Sequence, residues 1–284
     1  MMKAAANTFK RNILIGAAVA VAFAFTYKLS TGTGFEEQPV GTAYDKSAWE
    51  RDGFKVAWTQ ALEKNSAVDD QQRYEGSKSL KVTYPKGTFG PAENGGQAKL
   101  MLPPRQEYYA SYRLRFSENF SWGGEHEGGK LPGLAGGDNC SGGQSCDGTN
   151  GFSARFMWRK GGKAVLYLYH MDKPHQWGED IDLRQAGGQE VVFPRGEWVQ
   201  LAERVKLNTI SNGKANADGE VQVWYNGELV LNKKGLRFVS NQNGVDNFYF
   251  STFHGGNTIE WAPQETCWIW YDDIKVSDNQ ADVM

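Results

Sequence analysis

Phe152-Ser-Ala-Arg-Phe-Met-Trp-Arg159, then Lys160-Gly-Gly162, then Lys163-Ala-Val-Leu-Tyr-Leu-Tyr169 is the stretch that decides how this chain folds. Both long runs alternate with a period of two, the signature of strands with one buried face. In the first run Phe152, Ala154, Phe156 and Trp158 share one face, and Ser153, Arg155, Met157 and Arg159 share the other. In the second, Leu166 and Leu168 oppose Val165, Tyr167 and Tyr169. The apolar sets belong on the core, so the polar sets must meet on the opposite face. A three-residue loop, Lys160-Gly161-Gly162, achieves this with Gly in the left-handed position. It predicts Arg155 opposite Tyr167 and Ser153 opposite Tyr169. A two-residue Gly161-Gly162 turn would instead set Arg155 beside Leu168.

Outward from this hairpin the same short alternating pattern repeats. Strands are predicted at 79–84, 108–116, 197–207, 220–225, 248–253 and 267–276, with Asn226-Gly227 a strong two-residue hairpin signal. The best candidate for a helix is 47–64. With 284 residues, 34 Gly and 37 aromatic side chains, the chain can bury a large core between many short strands. The expected fold is all-β, a single jelly-roll (concanavalin-like) β-sandwich over residues 45–280, with 31–44 as a linker. The glycine-rich stretch 120–150 shows no strand pattern and reads as a long functional loop carrying Lys130.

The first 30 residues stand apart. Lys3, Lys10 and Arg11 precede an apolar run of 13 residues, 13–25, too short to span a bilayer comfortably. Such a segment reads as a secretory signal with Ala22-Phe23-Ala24 as its cleavage site, or as an uncleaved anchor over 13–27. Either reading places the folded part outside the cytoplasm, secreted or periplasmic, with no other tie to a membrane. Cys140 and Cys146 lie in one Gly/Ser/Asn-rich loop, where an oxidising compartment favours a bridge between them. Cys267 reads as a buried thiol. Net charge is −2 and no basic cluster is interleaved with aromatics, so nucleic acid is not an expected partner. The spacing of His126, His170, His175 and His254 suggests no metal site.

Two phenols and two cations on one sheet face suit the removal of a proton beside a sugar carboxylate. In such a β-elimination a base takes the C5 proton of a uronate and an acid helps the C4 oxygen leave. The carboxylate must be neutralised so that enolate-like charge can develop. Lys130 and Arg155 are the cations for that task. Tyr167 and Tyr169 are the candidate base and acid, if a nearby cation lowers a phenol whose ordinary pKa is near 10. All four groups are expected to converge on an open groove.

These residues carry a family resemblance. Tyr112-Arg-Leu-Arg-Phe116, Phe120-Ser-Trp-Gly-Gly124, Gly128-Gly-Lys-Leu-Pro-Gly-Leu134, Phe152–Arg159, Val165–Tyr169 and Phe250-Ser-Thr-Phe-His-Gly-Gly256 resemble polysaccharide lyase family 14, over about residues 75–277. The resemblance implies a jelly-roll alginate or glucuronan lyase without metal or organic cofactor. It matches Lys130 to the family's catalytic lysine, Tyr167 and Tyr169 to its paired tyrosines, and Ser153 and Arg155 to the polar pair on the neighbouring strand. Two positions depart from it: no His stands shortly before Ser153, and His254 replaces a more usual aromatic.

Arg113, Arg115, Gln97 and His254 are added as candidate substrate-binding residues; the arginines can equally pair with carboxylates. Trp177, Trp261 and Trp268 could stack on sugar rings or pack inside. The partner is then an acidic polysaccharide. A non-catalytic carbohydrate-binding module on the same fold is the alternative. A retaining hydrolase would need two carboxylates about 5 Å apart; Glu179-Asp180-Ile181-Asp182 is the nearest acidic cluster and sits in no clear strand pattern.

Overall fold

The strands at 152–159 and 164–169 pair antiparallel with Arg155 opposite Tyr167 and Ser153 opposite Tyr169, the register the alternation predicts. The turn between them is Lys160–Gly162, with Gly161 at φ 66° and Gly162 at φ 87°. The computed structural model describes residues 29–284. Its first elements are β1 (Ser30–Thr33), α1 (Lys46–Arg51), β2 (Lys55–Gln60), α2 (Leu62–Asn65), β3 (Ser66–Asp69), β4 (Ser79–Tyr84), β5 (Gly96–Arg105) and β6 (Glu107–Phe116). Then come β7 (Gly128–Gly136), β8 (Phe152–Arg159), β9 (Ala164–Tyr169), β10 (Glu179–Asp182) and β11 (Trp198–Lys206). The short β12 (Ile210–Ser211) and β13 (Lys214–Ala215), then β14 (Gly219–Tyr225), β15 (Glu228–Leu236), β16 (Val245–His254) and β17 (Cys267–Ser277) complete the chain.

Two large sheets form a β-sandwich. One runs β15-β14-β11-β6-β17-β4-β3, with β1 also paired to β17; the other runs β10-β9-β8-β7-β16-β5-β2. Phe152, Phe156, Trp158, Leu166 and Leu168 on the second sheet pack into one cluster with Tyr112, Leu114, Leu201 and Tyr271 of the first. That leaves the outer face of the seven-stranded sheet free to carry the polar set of the hairpin.

Residues 31–44 are not a linker. Ser30–Thr33 pair with Ile274–Ser277, and Phe35 and Tyr44 are fully buried against Trp49 of α1. The segment is too short and too rich in Thr and Gly to show an alternation. The helix expected over 47–64 is two short helices separated by β2. Asp45 caps α1 by accepting from the Ala48 amide, and Gly53 at φ 88° turns the chain out of it. The signal or anchor read over residues 1–30, 13–27 within it, lies outside the described residues, apart from Leu29 and Ser30. Among those described, no helix is long and apolar enough to cross a membrane.

The stretch 120–150 is not wholly loop, because β7 lies within it, in the middle of the sheet between β8 and β16. Its small residues are a requirement of close packing. A Cβ on Gly129 would meet the Trp158 ring at 2.0 Å, and one on Gly133 would meet the Ala154 carbonyl at 2.1 Å. Pro132 cannot donate to a ladder, and it sits where the register slips, between Leu131 and Gly133. This bulge resets the strand's phase, so Lys130 and Gly133 both face outward while Leu131 and Leu134 stay in the core. The opposite sheet holds the bulge from behind. Tyr112 donates to the Pro132 carbonyl at 3.0 Å, and the buried Glu203 carboxyl accepts from the Leu134 amide.

Candidate active site

The outer face of the seven-stranded sheet brings Lys130, Ser153, Arg155, Tyr167 and Tyr169 together. Lys130 on β7 lies opposite Met157 on β8, and its Nζ sits 3.6 Å from the centroid of the Tyr167 ring. The Tyr167 and Tyr169 hydroxyl oxygens are 3.4 Å apart. Arg155 donates from Nη1 to the Ser251 hydroxyl at 3.0 Å and lies over the Tyr249 ring at 4.8 Å. Gln97, on β5, joins the same patch by accepting from the Tyr249 hydroxyl at 2.6 Å and donating to Gln60 at 2.8 Å.

The charges here lack the partners that buried charges usually have. Arg155 is 3% exposed, it pairs with no carboxylate among the described residues, and its Nε has no hydrogen-bond partner. Among the described residues the Lys130 ammonium donates only to the Met157 thioether, a weak acceptor, at 2.7 Å. Burial, and then the positive charges of Arg155 and Arg159, hold its pKa well below the ordinary lysine value. Burial, and then the neighbouring Tyr169 hydroxyl, pushes the Tyr167 phenol above its ordinary value. Arg159 belongs to the rim of the site, where it is forked onto Asp180 of β10 with bonds of 2.8 and 2.7 Å.

The phenols do not face an open groove. Tyr167 is 5% and Tyr169 1% exposed, although neither touches the main core. Two loops cover them. The Gly143 amide donates to the Tyr169 hydroxyl at 3.0 Å, and the Gly178 amide donates to the Tyr167 hydroxyl at 3.1 Å. Cys140 and Cys146 are joined in a disulfide that closes the first of these loops, as the loop composition predicts. Ser153 is buried beneath it and donates to the Cys140 carbonyl at 3.0 Å, so it anchors the loop and does not open toward a ligand.

Three candidates fall elsewhere. Arg113 and Arg115 are on β6 in the other sheet, on its outer face, because their neighbours Tyr112 and Leu114 fill the core. His254 is fully buried on the core face of β16, where Nε2 lies 2.7 Å from the Ser121 carbonyl and Nδ1 3.1 Å from Asn94. Burial lowers its pKa to about 4, so it stays neutral and structural. Tyr249, Ser251 and Met157 are site residues that the sequence did not single out. In 248–253 aromatic residues occupy both faces, so polarity contrast could not show that 249 and 251 point outward. Two surface cavities, about 510 and 300 Å³, open beside Gly124–Glu125 and beside Trp122 and Arg195, and neither is lined by the phenols. Among the described residues no cluster of three or more His, Cys, Asp or Glu side chains is arranged to hold a metal.

A family model for polysaccharide lyase 14 matches residues 72–274, well over half of the chain. The chain belongs to this family. The polysaccharide lyase resembles several solved structures. A mutant of alginate lyase Aly36B in complex with an alginate trisaccharide has TM-score 0.71 and 25% identity, covering 88% of this chain and 98% of that one. The marine alginate lyase from Aplysia kurodai has TM-score 0.70 and 21% identity, over 88% and 98%. The endo-β-1,4-glucuronan lyase from the fungus Trichoderma reesei has TM-score 0.53 and 16% identity, over 81% and 93%. No curated protein sequence matches the lyase.

Proposed function

We propose that this lyase cuts a uronic-acid polymer by β-elimination on the outer face of the seven-stranded sheet, with alginate the first substrate to try and glucuronan the second. The observation that carries the reading is the buried Arg155 and the half-buried Lys130, which have no ion-paired carboxylate among the described residues and lie beside two phenols. A uronate carboxylate supplies the missing anion. The family's neighbours include a structure holding alginate trisaccharide, which supports the same substrate class.

The roles follow from which protonation state each group keeps. The sequence reading made a phenol the base and Lys130 a neutralising cation. Burial works against that, because it favours neutral forms of both groups. Lys130 as a free amine then takes the C5 proton, and a neutral Tyr167 or Tyr169 gives its proton to the C4 oxygen. The C5–H and C4–O bonds break, a C4=C5 double bond forms, and no water is consumed. Arg155 binds the carboxylate and stabilises the enolate-like charge. Catalysis requires the loops over Gly143 and Gly178 to move off the phenol oxygens when substrate enters.

The assay is incubation with polymannuronate, polyguluronate and glucuronan, reading the ultraviolet absorbance of the unsaturated uronate. Absorbance that is lost in Lys130→Ala is expected. New reducing ends without absorbance would mean hydrolysis, and retained polymer binding with neither signal would mean a carbohydrate-binding module. We further propose that the sandwich is wound as a jelly roll and that the protein is exported, secreted or periplasmic, with 13–27 as its anchor if the leader is kept. The leader composition and the bridge at Cys140–Cys146 support export. N-terminal sequencing of the protein from its native host tests it.

A further inference from the structure

A cation laid on an aromatic ring without an ion-pair partner, the arrangement of Lys130 on Tyr167, also occurs on the opposite side of the molecule, where Asp272 stands across from Arg113 without pairing with it. On the outer face of the eight-stranded sheet, Lys81, Trp270, Arg115 and Trp198 stand directly opposite one another on β4, β17, β6 and β11. Lys81 Nζ lies 5.0 Å from the Trp268 ring and 5.6 Å from the Trp270 ring. Beside this row the Arg113 guanidinium sits 4.0 Å over Tyr74, whose ring meets Trp198 edge-on at 6.1 Å. Tyr74 is 46% exposed.

Several other cations of this chain are held by carboxylates. Arg204 is held by Glu107 and Glu220, Lys163 by Asp182 and Glu190, and Arg237 by Asp172. Arg113 and Lys81 make no ion pair among the described residues. Arg115 has one contact, at 3.5 Å, to a Glu118 side chain that is mostly in solvent. The Nε atoms of Arg113 and Arg115 are both buried without a hydrogen-bond partner. Lys81 and Arg113 are thus laid on aromatic rings, and Arg113 and Arg115 each keep an Nε donor unused.

We propose that this face is a second, non-catalytic binding strip for uronate-bearing glycan; its ligand class rests on the substrate reading above. The row spans three strand spacings, roughly 14 Å, enough for a short run of sugar residues. The exposed parts of Tyr74, Trp198 and Trp268 offer apolar surface to the pyranose rings, and the spaced cations meet the carboxylates. The strip and the active site lie on opposite outer faces of the sandwich, so the strip tethers the enzyme to polymer without occupying the active site.

The test uses Lys130→Ala full-length protein, so that polymer is held but not cut, in native gels containing alginate or a neutral glucan. The triple variant Lys81→Gln, Arg113→Gln, Arg115→Gln is expected to weaken retention by alginate about tenfold, the scale of losing three exposed charge contacts. Trp198→Ala is expected to weaken it independently, and retention should fall with salt. In the Lys130 background-free enzyme, the same triple variant should turn over a short uronate tetramer at the parental rate. Unchanged alginate retention in variants with an unaltered melting temperature would overturn the strip. So would equal retention by neutral glucan, or a matching loss of tetramer turnover. A protein that binds alginate through the strip but releases no unsaturated product would sink the lyase reading alone.

Discussion

Arg159→Gln should move the acidic limb of the pH profile of kcat/KM upward by about one pH unit. That limb reports the free enzyme's base, which under the proposed mechanism is the Lys130 amine. Arg159 is one of the positive charges that depress Lys130. Its guanidinium carbon lies 5.5 Å, and Lys130 Nζ 3.6 Å, from the centroid of the same Tyr167 ring. The two cations are therefore within about 9 Å, where a charge pair is worth about 2 kcal/mol at an effective dielectric near 20. Removing a repelling cation stabilises the ammonium, so the amine loses its proton at higher pH. At about 1.4 kcal/mol per unit the shift is about one unit. Asp180 works in the opposite sense on Lys130 and is the carboxylate on which Arg159 is forked. The double variant Arg159→Gln, Asp180→Asn should therefore shift the limb less than the single one. Initial rates of absorbance increase, taken from pH 5 to 10 at substrate well below KM, give the profile. A limb that stays in place, or moves to lower pH, would refute Lys130 as the base.

Three other outcomes are expected. Tyr167→Phe and Tyr169→Phe should each be separately assayed, and the one that supplies the proton should lose at least about a hundredfold in kcat; near-parental rates in the double variant would exclude the phenols. Glu203 is a carboxyl whose burial in the core raises its pKa well above the ordinary value. The unfolded chain releases that proton from about pH 4.5 upward while the folded one holds it, so parental stability should fall by about 1.4 kcal/mol per pH unit across that window. Glu203→Gln should flatten this slope in urea melts between pH 5 and 8, and parallel curves would count against a protonated Glu203. Replacing both Cys140 and Cys146 by Ser should cost about 2 kcal/mol by the chain-entropy estimate for so short a loop. A reductant should then lower the melting temperature of the parent and leave the double variant unmoved.

How much of the site could be read in advance differs from residue to residue. The hairpin was legible because its two faces differ sharply in polarity and because an odd loop is the one way to bring like faces together. The disulfide was legible because both cysteines share one short loop. Lys130 was found through a motif, yet its setting on a strand was hidden, since Gly128-Gly-Lys-Leu-Pro-Gly carries neither alternation nor β-branched residues. Arg113 and Arg115 alternate with the buried Leu114 and so face away from the core. Which sheet owned that face depended on β6 lying between β11 and β17. His254 looked like a site residue beside two glycines; it turned inward because its strand carries Phe248, Phe250 and Thr252 on the core side.

By itself the amino-acid order settled period, pairing within the hairpin and membership in the lyase family, since each depends on residues close in sequence or on a spaced motif. Tertiary structure alone decided that the cations of 130 and 155 stay without carboxylates, that the phenols lie beneath two loops, and that residues 30–44 join the sandwich. Those outcomes arise between segments far apart in the chain. Burial and electrostatic partnership are properties of that assembly, and no local pattern encodes them.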